Sequence, residues 1–184
     1  LIDDRTDALI KQGKAYFLIS GSGHEAVQVA VGMALKPGKD WFYTYYRDTA
    51  FGLTVGLTSE QIFQHFMAKS TDPFTAGRQM NTHLGINSLR MPTPSSPTGS
   101  QYLQAVGTAL SCIYRNTNEV VYVSGGEGST SEGEFFEAVN WATREKLPVI
   151  FVIQNNGYAI SVPVEDQIAG GSVFKAISGF EGLN

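Results

Sequence analysis

The sequence has little cysteine and no concentrated positive charge, and both shortages limit what the protein can be. Its single cysteine, Cys112, excludes an internal disulfide framework and a cysteine-based zinc site, and it is compatible with a reducing compartment. Thirteen basic residues stand against 17 acidic ones, which gives a net charge of -4. Because the basic residues form no run, we expect neither nucleic acids nor anionic membranes as partners.

Long hydrophobic runs and targeting signals are also lacking. No apolar stretch reaches the roughly 18 residues that a membrane-spanning helix needs. The first residues, Leu1-Ile2-Asp3-Asp4, have neither the basic start nor the apolar core of a signal peptide. We therefore expect a cytoplasmic protein. Because no methionine begins the sequence, we also expect residues that precede it.

What is present is the composition of a folded domain. The 184 residues are 42% hydrophobic and 16% charged, which argues against disorder and coiled coils. This length suits one domain spanning residues 1–184. The 20 glycines indicate tight turns and close backbone approaches.

Two apolar runs with a helical pattern between them predict a βαβ unit. The runs, residues 120–123 and 149–153, are rich in β-branched side chains and do not alternate. Strands of this kind are covered on both faces, which is typical of parallel sheets. One helix face is formed by Phe135, Ala138, Val139 and Ala142, and Thr130 or Ser131 is the predicted N-cap. The sequence therefore predicts an α/β fold with a mainly parallel sheet.

Further helices are predicted from their periodicity and capping residues, over residues 3–12, 24–35, 58–67 and 100–114. The helix over 24–35 is apolar nearly all round, so we expect it to be buried on both sides, in the core or in a subunit interface. Residues 68–99 are rich in proline and polar side chains. A loop of that length is usually functional.

A carboxylate and two carboxamides are delivered to one edge of the predicted sheet. Gly126-Glu127-Gly128 follows the first strand, and Asn155-Asn156-Gly157-Tyr158 follows the second. Ligands bind outside the carboxyl ends of parallel strands. Carboxylate and carboxamide oxygens suit Mg²⁺, and the glycines allow backbone to approach a phosphate. Either segment alone is a common turn, but their spacing makes the pair specific.

These segments resemble the thiamin diphosphate motif, which is Gly-Asp-Gly followed by Asn-Asn after a spacer similar to the 26 residues found here. The wider runs at 126–134 and 155–163 are similar to the α subunit of the decarboxylating component of 2-oxoacid dehydrogenase complexes. Branched-chain (2-oxoisovalerate) members fit best, because glutamate replaces the motif aspartate there. The resemblance covers nearly all of this chain but only about the N-terminal half of a typical α subunit. It implies a three-layer α/β/α thiamin-diphosphate-binding fold that lacks its C-terminal part.

The resemblance also implies an activity, which is oxidative decarboxylation of a 2-oxoacid with transfer of the acyl group to lipoyl. Mg²⁺ would be held by Glu127, the side chain of Asn156 and the main-chain oxygen of Tyr158. The cofactor-binding positions that the resemblance implies are Tyr45, Tyr46, Arg47, Ser96, Thr98, Gly126, Glu127, Gly128, Ser129, Asn156, Tyr158 and Ile160.

Arg47 fits a diphosphate physically, because a buried anion needs cations and the guanidinium matches phosphate oxygens. Its alternative is a salt bridge with Asp48 or another acid. Similarity to a family loop assigns a structural K⁺ to Ser95, Pro97, Ser100 and Gln101. Without the family, these residues form a turn and a helix cap.

The resemblance places the catalytic histidine of the family beyond Asn184, so no catalytic residue is expected within this chain. It implies three partners: a β subunit that completes an α₂β₂ heterotetramer, a lipoyl acyltransferase, and the 2-oxoacid substrate. Two positions depart from the family. Gln154 replaces an arginine near the diphosphate, and Ile19 replaces a histidine of pyruvate-specific relatives, which favours a larger apolar substrate.

Two other interpretations remain open. Residues 15–20 would form a strand before Gly21-Ser22-Gly23-His24-Glu25-Ala26, which reads G-x-G-x-x-A and would indicate an NAD-binding oxidoreductase. Alternatively, the chain is a non-catalytic fragment that only assembles with a partner. His24, His65 and His83 have no neighbouring ligand set in the sequence, so we expect them to be structural or surface residues.

Overall fold

The computed structural model describes residues 1–183, which form two compact units. The first unit contains Leu1–Asp40 and Thr44–Pro94, and the second contains Trp41–Tyr43 and the residues from Ser95 onward. A single domain over residues 1–184 stays a prediction, and each unit is described by itself. Over the described residues, no helix is both long and apolar enough to cross a membrane.

The first unit is helical, with four α-helices and a short 3₁₀ turn at Asn87–Leu89. The helices are α1 (Ile2–Lys11), α2 (Glu25–Ala34), α3 (Thr49–Thr54) and α4 (Ser59–Phe66). A capping box starts α4, in which Thr58 and Gln61 exchange side-chain and backbone hydrogen bonds. The three helices expected in this region are confirmed, and α3 was not predicted, because six residues show too little periodicity.

Two points from the sequence analysis can be compared with the first unit. Helix α2 is not fully buried in the core of this chain, since only its residues Gln28 and Gly32 are buried and Met33 is 77% exposed. Its burial in a subunit interface stays a prediction. Close packing against α3 covers one edge of the helix, where a Cβ at Gly32 would lie 2.8 Å from a Thr54 side-chain carbon. Residues 15–20 do not form a strand, so Gly21 does not begin a strand-to-helix turn.

The second unit contains a parallel sheet of three strands within the described residues. The strands are β1 (Trp41–Tyr43), β2 (Val121–Gly126) and β3 (Val149–Gln154), in the order β1-β2-β3. Gly126 pairs with Gln154, so the carboxyl ends of β2 and β3 lie side by side. The predicted βαβ unit and α/β class are confirmed.

Two long helices pack against the sheet, α5 (Ser100–Tyr114) and α6 (Gly133–Glu145). The core between them is built from Tyr43, Val121 and Val123 of the strands with Tyr102, Val106, Phe135 and Val139 of the helices. Every residue of β2 is buried, as expected for a central strand. Coverage of β3 on both faces is wrong, because Ile150 is 39% exposed at the edge of the described sheet.

The start of α6 differs from the prediction. Glu132 is the N-cap, and a 3₁₀ turn over Glu127–Ser131 separates it from β2. Neither Thr130 nor Ser131 caps the helix. The Thr130 hydroxyl instead donates to the Glu127 carbonyl at 2.6 Å, which tightens the turn behind the strand.

Short elements complete the second unit. Strands β4 (Tyr158–Ala159) and β5 (Val162–Pro163) form an antiparallel hairpin, and α7 (Val164–Gln167) and α8 (Val173–Ile177) follow it. These elements were not predicted, since pieces of two to five residues carry no usable period.

Candidate active site

Glu127 is the first residue after β2, and only 1% of its surface is exposed. Its Oε2 accepts the backbone N–H of Asn156 at 3.2 Å, which joins the two segments that follow β2 and β3. Its Oε1 has no hydrogen-bond partner, a condition that only Thr44 Oγ1 shares among the buried side-chain nitrogen and oxygen atoms of residues 1–183. Leaving a buried carboxylate oxygen unpaired is costly, so this atom is suited to a bound cation.

The segment after β3 folds back through two side-chain turns. Asn155 Oδ1 accepts the N–H of Gly157 at 2.8 Å, and Asn156 Oδ1 accepts the N–H of Tyr158 at 3.0 Å. Such turns are what short amide side chains form with the backbone two residues ahead. They aim the chain into the β4–β5 hairpin while each carbonyl oxygen keeps a second lone pair for another ligand.

The glycine after Glu127 has a packing role in this structure. A Cβ at Gly128 would lie 2.5 Å from the Ala159 Cβ, so the missing side chain lets the hairpin approach the turn. The sequence analysis expects a phosphate to approach the backbone at Gly128, and in the structure the side chain of Ala159 also lies close to this glycine. The hydroxyl of Ser129 donates to the Gly126 carbonyl at 2.7 Å and closes the turn beneath Glu127.

The corner of the hairpin holds a strained residue. Ile160 has a φ of +57°, in the left-handed region that β-branched residues rarely adopt, and its side chain is fully exposed. Tyr158 is also largely exposed. Two apolar side chains are thus held out of the fold beside the Glu127 turn.

The turn over residues 95–101 includes the first two residues of α5, Ser100 and Gln101. Ser95 Oγ lies 2.5 Å from Ser100 Oγ, and Ser100 Oγ donates to the Pro97 carbonyl at 2.9 Å. Three of the four predicted K⁺ ligands therefore share one turn. The fourth, Gln101, donates its amide to the Ser124 carbonyl at 3.1 Å. Ser96 and Thr98 are exposed in the same turn.

In the first unit, Arg47 is held at both its main chain and its side chain. Its Nη1 donates to the Ser20 carbonyl at 2.5 Å, and its Nε donates to the Tyr45 hydroxyl at 3.2 Å. The guanidinium also lies 5.4 Å from the centre of the Tyr46 ring. Asp48, the predicted alternative partner, accepts the Tyr45 N–H at 3.0 Å instead. The guanidinium of Arg47 is thus held in place by neutral groups.

Buried Gln28 supports the same turn. Its Nε2 donates to the Arg47 carbonyl at 3.0 Å, and its Oε1 accepts the N–H groups of Ala50 and Phe51 at the start of α3. Sequence reasoning missed Gln28, because a glutamine within an apolar helix carries no motif. Burial raises the pKa of Tyr45, and the neighbouring phenol of Tyr46 raises it further, so Tyr45 remains a neutral acceptor for Arg47.

The first glycine of the G-x-G-x-x-A run is explained without a dinucleotide. A Cβ at Gly21 would lie 2.5 Å from the Arg47 carbonyl oxygen, so glycine is required for this approach of two backbone segments. Asp3 secures the turn by accepting the Ser20 hydroxyl at 2.5 Å and the Gly21 N–H at 3.2 Å. The absence of a preceding strand removes the context that a dinucleotide fingerprint needs.

The two positions at which the sequence is expected to depart from the family differ in burial. Gln154 is the last residue of β3 and is 3% exposed, and Ile19 is half-buried in the first unit. Over residues 1–183, no three or more His, Cys, Asp or Glu side chains form a cluster able to hold a metal ion. An oxygen site built from Glu127, a carboxamide and a carbonyl is a different kind of site.

The fold and the site define an α/β protein with a buried carboxylate and two carboxamides at the ends of adjacent parallel strands. A family model described as "Dehydrogenase E1 component" matches residues 1–181. The chain therefore belongs to the dehydrogenase E1 component family, which confirms the family expected from the sequence.

Individual relatives agree with this assignment. The chain is 42% identical over 168 residues to the 2-oxoisovalerate dehydrogenase subunit alpha of Bacillus subtilis, covering 91% of this chain and 51% of that protein. It is 36% identical to the mitochondrial protein of the same name from Caenorhabditis elegans, covering 89% and 38%. Identity to the pyruvate dehydrogenase E1 component subunit alpha of Staphylococcus aureus (strain Mu50) is 35%, covering 92% and 43%.

The chain thus spans about half or less of the length of these relatives. Among solved structures, it is similar to a Mycobacterium smegmatis protein described as a candidate thiamin diphosphate-dependent enzyme. The TM-score is 0.54 and the identity 22%, and the match covers 85% of this chain and 25% of the other. That likeness confirms the fold predicted from the sequence.

Proposed function

We propose that this chain supplies the diphosphate- and metal-binding part of a 2-oxoacid dehydrogenase (decarboxylating) α subunit. The single observation that carries the proposal is the buried Glu127 carboxylate, whose Oε1 is unpaired while its Oε2 is fixed to the backbone of Asn156. An oxygen prepared in this way at the ends of parallel strands is the first ligand of a hard cation.

The residues present fit Mg²⁺ and thiamin diphosphate. Glu127, the Asn156 carboxamide and the Tyr158 carbonyl would hold Mg²⁺, and Arg47 with Tyr45 and Tyr46 would hold the diphosphate. When bound, thiamin diphosphate supplies the electron sink for decarboxylation of a 2-oxoacid. This chain's own residues bind and orient the charged end of the cofactor, and fixed hydrogen bonds limit the reorganisation that binding costs.

Further contacts follow from the same proposal. Gly126, Gly128 and Ser129 form the turn that would approach the diphosphate, and the exposed Ile160 would cover an apolar part of the cofactor. Ser96 and Thr98 would contact it from the turn before α5. A structural K⁺ would be held by oxygens of Ser95, Pro97, Ser100 and Gln101, of which the first three share one turn.

The proposed substrate is a branched-chain 2-oxoacid, and the proposed partners are a β subunit in an α₂β₂ assembly and a lipoyl acyltransferase. Ile19 supports this choice, since an apolar side chain suits a larger substrate than pyruvate. Identity is also higher to the 2-oxoisovalerate relative than to the pyruvate one. The acyl group would pass to lipoyl on the acyltransferase.

The test is 2-oxoacid-dependent dye reduction by the full-length protein co-expressed with its β subunit, supplied with Mg²⁺ and thiamin diphosphate. We expect a higher kcat/KM with 2-oxoisovalerate than with pyruvate, and loss of cofactor retention in Glu127→Ala. Retention of cofactor by Glu127→Ala would instead favour a chain that only assists assembly. NADH binding, read from its fluorescence, is the outcome that the dinucleotide alternative requires.

A further inference from the structure

The turn that carries Glu127 rests on the first residues of α5. Tyr102 is completely buried, and its hydroxyl lies 2.6 Å from the Ser129 hydroxyl. Gln101, one residue earlier, donates to the Ser124 carbonyl in β2. The start of α5 therefore holds both the end of β2 and the turn that follows it.

The direction of the hydrogen bonds can be assigned from the donors available. A serine hydroxyl has one proton, and that of Ser129 is donated to the Gly126 carbonyl at 2.7 Å. The phenol of Tyr102 must then donate to Ser129. The result is a continuous chain of hydrogen bonds from Tyr102 through Ser129 to Gly126, and Gly126 immediately precedes Glu127 in the sequence.

The hydroxyl of Tyr102 occupies space that is open because Gly125 has no side chain. A Cβ at Gly125 would lie 2.0 Å from the Tyr102 hydroxyl oxygen and 2.7 Å from the Ser129 Oγ. The ring is held by Phe135 and Phe151, with centroids 5.1 Å and 6.3 Å away. The position of the hydroxyl is thus set by packing, so it acts as a fixed donor.

We propose that Tyr102 is a positioning residue for the Glu127 carboxylate. By fixing Ser129 and Gly126, it sets the direction that the unpaired Oε1 faces, and so the affinity of the site for a divalent cation. The inference rests on the proposed function, because a cation must bind at Glu127. Outer partners of metal ligands commonly control affinity in this way.

The test is a Mn²⁺ titration followed by electron paramagnetic resonance, using the full-length protein co-expressed with its β subunit. Tyr102→Phe keeps the ring and removes the donor, and we expect Mn²⁺ to bind about tenfold more weakly. Tyr43→Phe is the matched control, because Tyr43 is also buried and its hydroxyl lies 2.6 Å from Thr108 Oγ1 within the same unit. We expect its Mn²⁺ affinity to be unchanged.

Unfolding midpoints measured without metal distinguish a loss of positioning from a general loss of stability. We expect Tyr102→Phe and Tyr43→Phe to have the same midpoint as each other. Equal Mn²⁺ affinities for Tyr102→Phe and Tyr43→Phe would overturn the inference while leaving the proposed function intact. Wild-type protein that binds no Mn²⁺, or Glu127→Gln that binds it like wild type, would overturn the proposed function itself. If Tyr102→Phe does not fold, Ser129→Ala interrupts the same chain, and the same tenfold loss is required.

Discussion

Ile160 combines a left-handed backbone conformation with a fully exposed apolar side chain. A left-handed β-branched residue is strained, and exposing its apolar side chain gains nothing. Strain of this kind persists where function requires it. The proposed cofactor contact gives the exposed side chain something to cover.

Replacing Ile160 should therefore improve stability and impair binding. Asparagine tolerates a positive φ, so Ile160→Asn is expected to raise the free energy of unfolding by about 1 kcal/mol. Thiamin diphosphate should bind more weakly to the variant. Urea unfolding and calorimetric titration measure the two effects.

The control for this change is Val162→Asn, at an exposed position of the same hairpin that does not have a positive φ. It should give no gain in stability. An unfolding free energy that falls in Ile160→Asn, or rises equally in both variants, would show that strain at Ile160 is not the cause.

Individual candidate site residues could be selected from the sequence where a motif directly follows a predicted strand. Glu127 and Asn156 could be selected because their chemistry and spacing are visible in the sequence. Tyr102 and Gln28 could not, because their roles depend on which distant atoms they contact. The capping role expected of Thr130 failed because the hydroxyl turns back to the Glu127 carbonyl.

At the scale of elements, the loop after α4 is held by a buried pair. His65 Nδ1 lies 3.0 Å from Asp72 Oδ2, and its Nε2 lies 3.1 Å from the Met80 carbonyl. Burial opposes the charged form of Asp72, but hydrogen bonds from His65 and from the N–H groups of Phe74 and Gly77 outweigh it. The pKa of Asp72 is consequently lowered.

Because the pKa of Asp72 is lower in the folded protein, the free energy of unfolding depends on pH in the acidic range. The stabilisation is fully present above the usual aspartate value of about 4, and it is lost as pH falls through the lower value of the folded state. Asp72→Asn should remove this contribution, so its unfolding free energy should fall less steeply below about pH 4 than that of wild type. Urea midpoints measured from pH 3 to 7 compare the two slopes, and parallel curves would contradict the assignment.

The turn between α1 and α2 depends on a glycine for space. Gly21→Ala places a Cβ against the Arg47 carbonyl, and overpacking of this kind costs about 1–3 kcal/mol. Because Arg47 must shift, thiamin diphosphate binding should weaken as well. Unfolding and titration measure both.

Gly107→Ala is the control for this substitution, since a Cβ there meets nothing within 4 Å and Gly107 lies inside α5. Alanine should stabilise that helix by up to about 1 kcal/mol. Gly21→Ala with wild-type stability and cofactor affinity would mean that the approach of the two backbones is unimportant.

Elements were predictable in proportion to their length and periodicity. Strands β2 and β3 and helix α5 stand out as apolar runs or stripes, whereas α3, α7, α8 and the β4–β5 hairpin are too short to show a period. The burial of α2 was predictable only in part, because an apolar helix indicates that contact is favourable and does not say whether this chain or a partner provides it.

At the scale of the whole molecule, the chain covers about half or less of its relatives, so we expect its activity to need the rest. Residues 1–184 alone should give no 2-oxoacid-dependent dye reduction with Mg²⁺ and thiamin diphosphate. The resemblance to the family implies a catalytic histidine beyond Asn184, and the proposed β subunit would complete the assembly. A chain of the relatives' full length, combined with the proposed β subunit, should be active under the same conditions, and turnover by residues 1–184 alone would contradict this.

The proposed function depends on a divalent cation that binds to the unpaired oxygen of Glu127. The most direct measurement is anomalous diffraction from crystals of a chain of the relatives' full length with the proposed β subunit, grown with Mn²⁺ and thiamin diphosphate. We expect an anomalous peak within about 2.5 Å of Glu127 Oε1, with the Asn156 side chain among its ligands. Cofactor bound without such a peak, or a peak ligated by other residues, would contradict it.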